Sequence, residues 1–399
     1  MRAIRNFGAV IIFLFIGLVS WGFESQGQES FPVNAKAAAL LDFNSGQFLL
    51  EVNADERIEP ASFTKVMTLY LVHDALKNGT IKLDDLVTIS ERAWSMGGSQ
   101  MFLPVGKQES LETLLQGIAV VSANDACVAV AEHISGKVEV FVEEMNKKAQ
   151  QLGLTNTHFM NPHGLPAEGQ VTSAHDMAIL AYHYIKDHPE ALKLHSLLEF
   201  TYNNITQRNR NGLLRMNVGV DGLKTGYIES AGYHLVATAQ REGRRMIAVV
   251  MGAKSPKIRE AEALSLLNYG FRNFILKKIT EKGKTVKTLP VKGGKYDQIE
   301  LIAPDDLAVT VSAKAKDSLR VIENIPAYVV APIEKGKIIG QIKVELGDKV
   351  LGEVNLLAKN DVPKGWQQYA KIGGIILIGI AGILFIWFAL IRWRRKPKL

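Results

Sequence analysis

The sequence predicts an α+β fold: an antiparallel sheet with helices packed on it, then a small all-β domain and a C-terminal transmembrane helix. Three observations predict it. Strand-like runs open the first part and return near residues 218–253, with helical stretches between them. Short alternating segments broken by Gly and Pro fill residues 280–362. Residues 372–391 carry no charge and end at the basic tail RWRRKPKL.

Each element has a local reason. AAALLDFNSGQFLLEV holds two apolar runs about Asn44-Ser45-Gly46 and reads as a hairpin. PASFTKVMTLYL starts a helix, with Pro60 near its first turn and Gly79 as the stop signal. SLETLLQGIAVVSANDACVAVAEHISG reads as helical. VDGLKTGY, YHLVATAQ and RRMIAVVMGA read as strands, the last two joined by a turn at Arg241–Gly243. Ser255-Pro256 supplies an N-cap and a first-position proline for IREAEALSLLNYGFRNF. VTVSAKA and QIKVELGDKVLGEV alternate like half-buried strands.

The resulting organisation is a leader over residues 1–27, a first domain over 35–279 and a β-rich domain over 280–362. A transmembrane helix over 372–391 and a basic tail over 392–399 follow. The chain has 399 residues and a net charge of +7. Arg2, Arg5, Arg392, Arg394, Arg395, Lys396 and Lys398 account for all of it, so residues 23–391 sum to zero. The basicity marks topology and excludes a nucleic-acid footprint. Arg2 and Arg5 precede the apolar run Phe7–Val19, as in a secretory signal peptide. Twenty helical residues span about 30 Å, the hydrocarbon thickness of a bilayer. Cys127 is the one cysteine, so no intrachain disulfide forms.

The chemistry gathers in three short patterns. Ser62 and Lys65 stand one helical turn apart and share a face. A lysine held against apolar walls loses hydration, its pKa falls, and the neutral amine takes a proton from the hydroxyl beside it. Ser122-Ala123-Asn124 lies 60 residues on, and Lys224-Thr225-Gly226 lies 102 beyond that. Each pattern occurs once. Their order and spacing are those of S-x-x-K, S-x-N and K-T-G in penicillin-binding proteins and class A β-lactamases. Ser122 has a plainer reading as the N-cap of the helix that follows. No H-E-x-x-H, P-loop, G-x-G-x-x-G or G-x-S-x-G pattern is present, so no metal site, cofactor or Ser-His-Asp triad is expected.

Beyond the motifs, NADERIEPASFTKVMT, SANDACVAVAEH, LGLTNTHFMNPHGL, RNRNGLL and VDGLKTGYIESAGYHLVA resemble the low-molecular-mass penicillin-binding proteins, the D-alanyl-D-alanine carboxypeptidases. The resemblance implies a β-lactamase/penicillin-binding-protein-like first domain. It implies a peptidoglycan stem peptide ending in D-Ala-D-Ala as substrate and β-lactam antibiotics as acylating mimics. Ser62 would be the nucleophile, Lys65 its base, Ser122 the proton relay, Asn124 an orienting group and Lys224 an electrostatic aid. Lys224, Thr225, Gly226, Tyr227 and Arg210 would bind substrate, with the N–H groups of Ser62 and Tyr227 as oxyanion donors. His163 and Asp176 match family positions and are read as structural. The enzyme would sit on the extracytoplasmic side, held by its C-terminal span. The rival readings are a β-lactamase and a non-catalytic wall- or penicillin-sensing protein. The E-x-x-L-N motif of class A β-lactamases is absent between Asn124 and Lys224.

Overall fold

The computed structural model describes residues 31–394. The expected leader and the tail beyond residue 394 lie outside the described residues. The hairpin at the start forms: β1 (Ala37–Asp42) and β2 (Gln47–Val52) pair antiparallel. Asp42 Oδ1 accepts the backbone N–H groups of Asn44 and Ser45, closing the turn. A 3-10 turn at Ala61–Phe63 leads into α1 (Thr64–Lys77), which ends before Gly79 at φ +73°.

β3 (Leu86–Thr88), α2 (Glu91–Trp94) and β4 (Gln108–Ser110) follow, with β3 and β4 paired as a short ribbon. α3 (Leu111–Gln116) starts on Ser110, whose Oγ accepts the Thr113 N–H. The helical reading of 110–136 then needs correction. A π-helical turn covers Gly117–Val121, Ser122 is left-handed at φ 66°, and α4 (Asn124–Ser135) begins afresh. Tertiary bonds hold the break: Ala123 N–H donates to Gly117 O, and Asn124 N–H donates to Ser99 O at 2.7 Å. The N-cap position is Ala123, so the capping reading of Ser122 falls.

α5 (Val138–Gln151), α6 (Ala174–Asp187), α7 (Ala191–His195) and the ribbon β5 (Glu199–Tyr202)–β6 (Ile205–Arg208) complete the helical layer. β7 (Val220–Ile228), β8 (Gly232–Arg241) and β9 (Arg244–Ala253) extend the first hairpin into an antiparallel sheet ordered β2-β1-β9-β8-β7. α8 (Pro256–Asn273), capped by Ser255, packs on β8 and β9. Ala37, Ala39 and Leu41 join the helical core, while Leu40 faces Gly270 of α8. Both faces of the central strands are covered, which is why RRMIAVVMGA is nearly all apolar. β7 lies at the sheet edge, where one side of its backbone has no strand partner.

The second domain holds β10 (Phe274–Thr280), β11 (Thr285–Lys292), β12 (Gln298–Ile302), β13 (Leu307–Ser312) and β14 (Leu319–Asn324). β15 (Val329–Val330), β16 (Ile338–Leu346) and β17 (Lys349–Ala358) complete it. The boundary expected after Ile279 falls inside β10. That strand pairs with β13 from Phe274 onward, so its residues belong with the β-rich part. Leu301, Val344 and Leu356 anchor a core separate from the first. Finally α9 (Trp366–Arg394) contains Ile372–Ile391, with a mean hydropathy of 2.8 and no burial against the rest of the protein. It is the one helix among the described residues long and apolar enough to cross a membrane.

Candidate active site

Ser62 sits in the 3-10 turn ahead of α1, and Lys65 sits in the first turn of that helix. The Lys65 side chain is fully buried. Its Nζ lies 3.1 Å from Ser62 Oγ, 2.7 Å from Asn124 Oδ1 and 2.5 Å from the His163 carbonyl oxygen. Burial lowers the Lys65 pKa to about 8, and the Arg210 charge pushes it the same way. Cys127 and Asp125 oppose that shift.

A second buried lysine belongs to the site. Lys224, on β7, donates from Nζ to Ser122 Oγ at 3.0 Å and to the Thr225 carbonyl at 3.1 Å. Burial holds its pKa well below the ordinary lysine value, and the charges of Lys65 and Arg210 add to this. The left-handed turn at Ser122 directs its hydroxyl to Lys224 instead of to the start of α4.

Supporting bonds fix the constellation. Asn124 Nδ2 donates to the Gly97 carbonyl at 2.7 Å, so its Oδ1 is the end presented to Lys65. The Asp125 carboxylate accepts the N–H groups of Met101 and Leu103, tying the 97–103 loop to α4. Burial raises the Asp125 pKa, and those N–H bonds oppose the rise. Arg210 donates from Nη1 to Ser99 Oγ at 2.7 Å, and Arg259 Nη2 donates to the Arg210 carbonyl. Burial lowers the Arg210 pKa.

Two glycines let backbone approach backbone. Gly164 has φ +89°, and a Cβ there would stand 1.8 Å from the Ala61 carbonyl oxygen. A Cβ at Gly226 would stand 3.3 Å from Ala61 Cβ and from the Pro60 oxygen. The turn that carries Ser62 is thereby pressed between the 161–165 loop and the open edge of β7.

These groups open on a cleft of about 330 Å³. It is lined by Ser62, Ser122, Asn124, Arg210, Thr225, Gly226 and Tyr227, with Lys65 and Lys224 buried beneath. The sequence-expected residues are thus brought to one place. Tyr227 is half exposed at the rim, its ring stacked on Tyr233 at 4.2 Å. A larger cavity of about 870 Å³ near His73 and Leu194 contains none of them.

Sequence reasoning missed several contributors. The His163 carbonyl accepts from Lys65, while its side-chain Nδ1 accepts the Leu165 N–H. Asp176 accepts Asn156 N–H and Thr157 Oγ1–H and does not line the cleft. Ser99, Asp125 and Arg259 carried no motif. The adjacency of Asp125 to Asn124 was the one signal available for that residue.

Residues 24–255 match the D-alanyl-D-alanine carboxypeptidase family, peptidase S11. Residues 274–364 match the C-terminal domain of penicillin-binding protein 5. A D-alanyl-D-alanine carboxypeptidase of Haemophilus influenzae, DacA, is 43% identical over 364 residues, covering 90% of this chain and 89% of its own. The Escherichia coli DacC enzyme is 40% identical over 394 residues, covering 97% and 98%. The crystal structure of penicillin-binding protein 5 from Haemophilus influenzae superposes with a TM-score of 0.79 at 43% identity, over 85% of this chain and all of that one. Penicillin-binding protein D2 from Listeria monocytogenes in its ampicillin-bound form superposes at 0.57 and 30% identity, over 61% of this chain and all of that one. Family matches over both folded parts, together with relatives spanning nearly the whole length, establish that the chain belongs to the D-alanyl-D-alanine carboxypeptidase family of serine peptidases.

Proposed function

We propose that this protein removes the terminal D-alanine from peptidoglycan stem peptides through an acyl-enzyme on Ser62. The observation that carries the proposal is the Lys65 amine shared between Ser62, Asn124 and the His163 carbonyl. A neutral amine has two N–H bonds and one lone pair. The two carbonyl oxygens accept the N–H bonds, and the lone pair is left for the Ser62 hydroxyl.

Ser62 Oγ attacks the carbonyl between the two D-alanines as its proton moves to Lys65 Nζ. The N–H groups of Ser62 and Tyr227 receive the oxyanion. The C–N bond then breaks, and the leaving amine takes a proton through Ser122. Lys224 beside Ser122 keeps the hydroxyl oriented and adds positive potential. Arg210 and Thr225 receive the terminal carboxylate, for which a guanidinium offers two parallel donors. Water cleaves the ester and restores the Ser62 hydroxyl. Penicillin offers a strained amide to the same nucleophile and leaves an ester there. The catalytic domain works on the extracytoplasmic side, with α9 as its anchor.

Mass spectrometry after incubation with penicillin, followed by peptide mapping, tests the nucleophile. The expected result is one adduct on the peptide containing Ser62, with D-alanine released from a D-Ala-D-Ala peptide by the untreated enzyme. A Ser62→Ala variant that still releases D-alanine overturns the mechanism. Rapid lactam turnover without D-alanine release makes the protein a β-lactamase instead.

A further inference from the structure

The junction between the β-rich domain and α9 is rigidly made. Lys295 N–H donates to the Pro363 carbonyl at 2.9 Å, and Gly365 N–H donates to Gly293 O at 2.9 Å. Val362 and Ile333 exchange backbone bonds at 2.8 and 3.0 Å. A Cβ at Gly365 would lie 2.6 Å from the Gly294 oxygen, so the segment is in close backbone contact with the 293–295 loop. α9 begins at the next residue, and its apolar stretch starts at Ile372.

Six helical residues, 366–371, lie between Gly365 and Ile372, so the two are about 10 Å apart along the helix axis. The headgroup layer of a bilayer is roughly 5–8 Å thick on each side. With Ile372 at the edge of the hydrocarbon, the loops holding Gly365 lie just above the headgroup layer, where long lysine side chains can reach down to it.

Their chemistry suits that position. Lys292, Lys295, Lys335, Lys337 and Lys364 are exposed there, and none makes an ion pair among the described residues. Lys292 Nζ lies 3.4 Å from the ring centre of Tyr328, and Lys295 Nζ lies 5.6 Å from that of Tyr296. Both tyrosines are about half exposed, and Trp366 is 75% exposed. Tyrosine and tryptophan rings beside lysines are the side chains that settle at a membrane–water interface. The acidic groups nearby are Asp297, Glu300, Glu334 and Asp361, and Glu300 is paired with Lys359. The Asp361 carboxylate is engaged by the Lys335 N–H at 2.7 Å. A cleft of about 580 Å³ opens between Tyr296, Lys335 and Asn360.

We infer that this end of the β-rich domain is a docking surface for anionic phospholipid headgroups, so that the domain stands on the membrane and is not merely tethered to it. The inference rests on the reading of α9 as a membrane anchor. Docking restricts the swing of the catalytic cleft to a fixed height above the bilayer.

The test is hydrogen–deuterium exchange on the full chain in vesicles of phosphatidylglycerol or of phosphatidylcholine, with co-flotation measured on the same samples. In phosphatidylglycerol, peptides covering 292–297 and 333–338 should exchange about tenfold more slowly, the change that one or two lysines at an anionic leaflet supply. The Gly347-Asp348 turn, roughly 25–30 Å away along β16, should not change. The protection should vanish in high salt and in the variant Lys292→Gln/Lys295→Gln/Lys335→Gln/Lys337→Gln, which should still float and still release D-alanine from a soluble peptide. Flotation with both lipids but the same exchange in each overturns the docking surface alone. Failure to float with either overturns the anchor and the docking surface together.

Discussion

Lys65 is fully buried and carries an amine whose pKa is lowered to about 8, against an ordinary lysine value of 10.5. In the proposed mechanism the active form of Lys65 is the neutral amine. Its fraction rises about tenfold per pH unit below 8 and levels off above it. The rate of D-alanine release at low substrate should therefore climb through the neutral range and flatten past about pH 8, and a pH–rate profile measures this. A profile flat from pH 6 to 9 contradicts the assignment. Lys65→Met removes the base and should lower acylation by penicillin about 10²–10⁴-fold, read by stopped-time labelling. Asn124 aims its amide oxygen at the same amine, so Asn124→Ala should weaken the base's orientation and lower the rate by a smaller factor.

At the level of elements, the site depends on how closely three backbones meet. Gly164→Ala would drive a methyl group into the Ala61 carbonyl, at a φ that L-residues rarely adopt. No flexible side chain is there to yield. The expected result is a loss of about 4 kcal/mol or more, seen as poor folding or a sharply lowered melting temperature. Gly226→Ala is milder, since its contacts at 3.3 Å need only a few tenths of an ångström of relief. It should leave the melting temperature nearly unchanged and slow acylation by about 10²-fold, because a small displacement of β7 misplaces the oxyanion donor. Equal loss of stability in both variants contradicts this distinction. The π-helical turn before Ser122 has the same character: local helical preference yields so that one hydroxyl points at Lys224.

At the scale of the whole molecule, among the described residues, the β-rich domain has a hydrophobic core of its own and meets the first domain where Ser45 Oγ donates to Thr310 Oγ1 at 2.9 Å, the Thr310 N–H donates to Gln47 Oε1 and Arg244 donates to the Phe274 carbonyl. Leu301→Ala opens a cavity in the β-rich core alone and should cost that domain about 2–5 kcal/mol. Calorimetry should then show a separate early transition, while penicillin labelling persists above it. Coincident loss of labelling and of the first transition contradicts independent cores.

Sequence alone marked the candidate chemistry and the order of the parts. Ser62 and Lys65 lie one helical turn apart, so their contact follows from helix geometry. The apolar run 372–391 and its basic flank also needed no fold to be read. Ser122 and Lys224 were legible only as motifs, because 102 residues separate them and no local rule makes them neighbours. Their contact, the His163 carbonyl on Lys65, the Arg210–Ser99 bond and the close approach at Gly164 were decided by tertiary structure. Each joins backbone or polar groups distant in the chain, and only packing of the sheet edge against the helical layer brings them within bonding distance. The same packing removes water from Lys65, and that loss of solvation lowers the pKa of its amine, as the proposed base role requires.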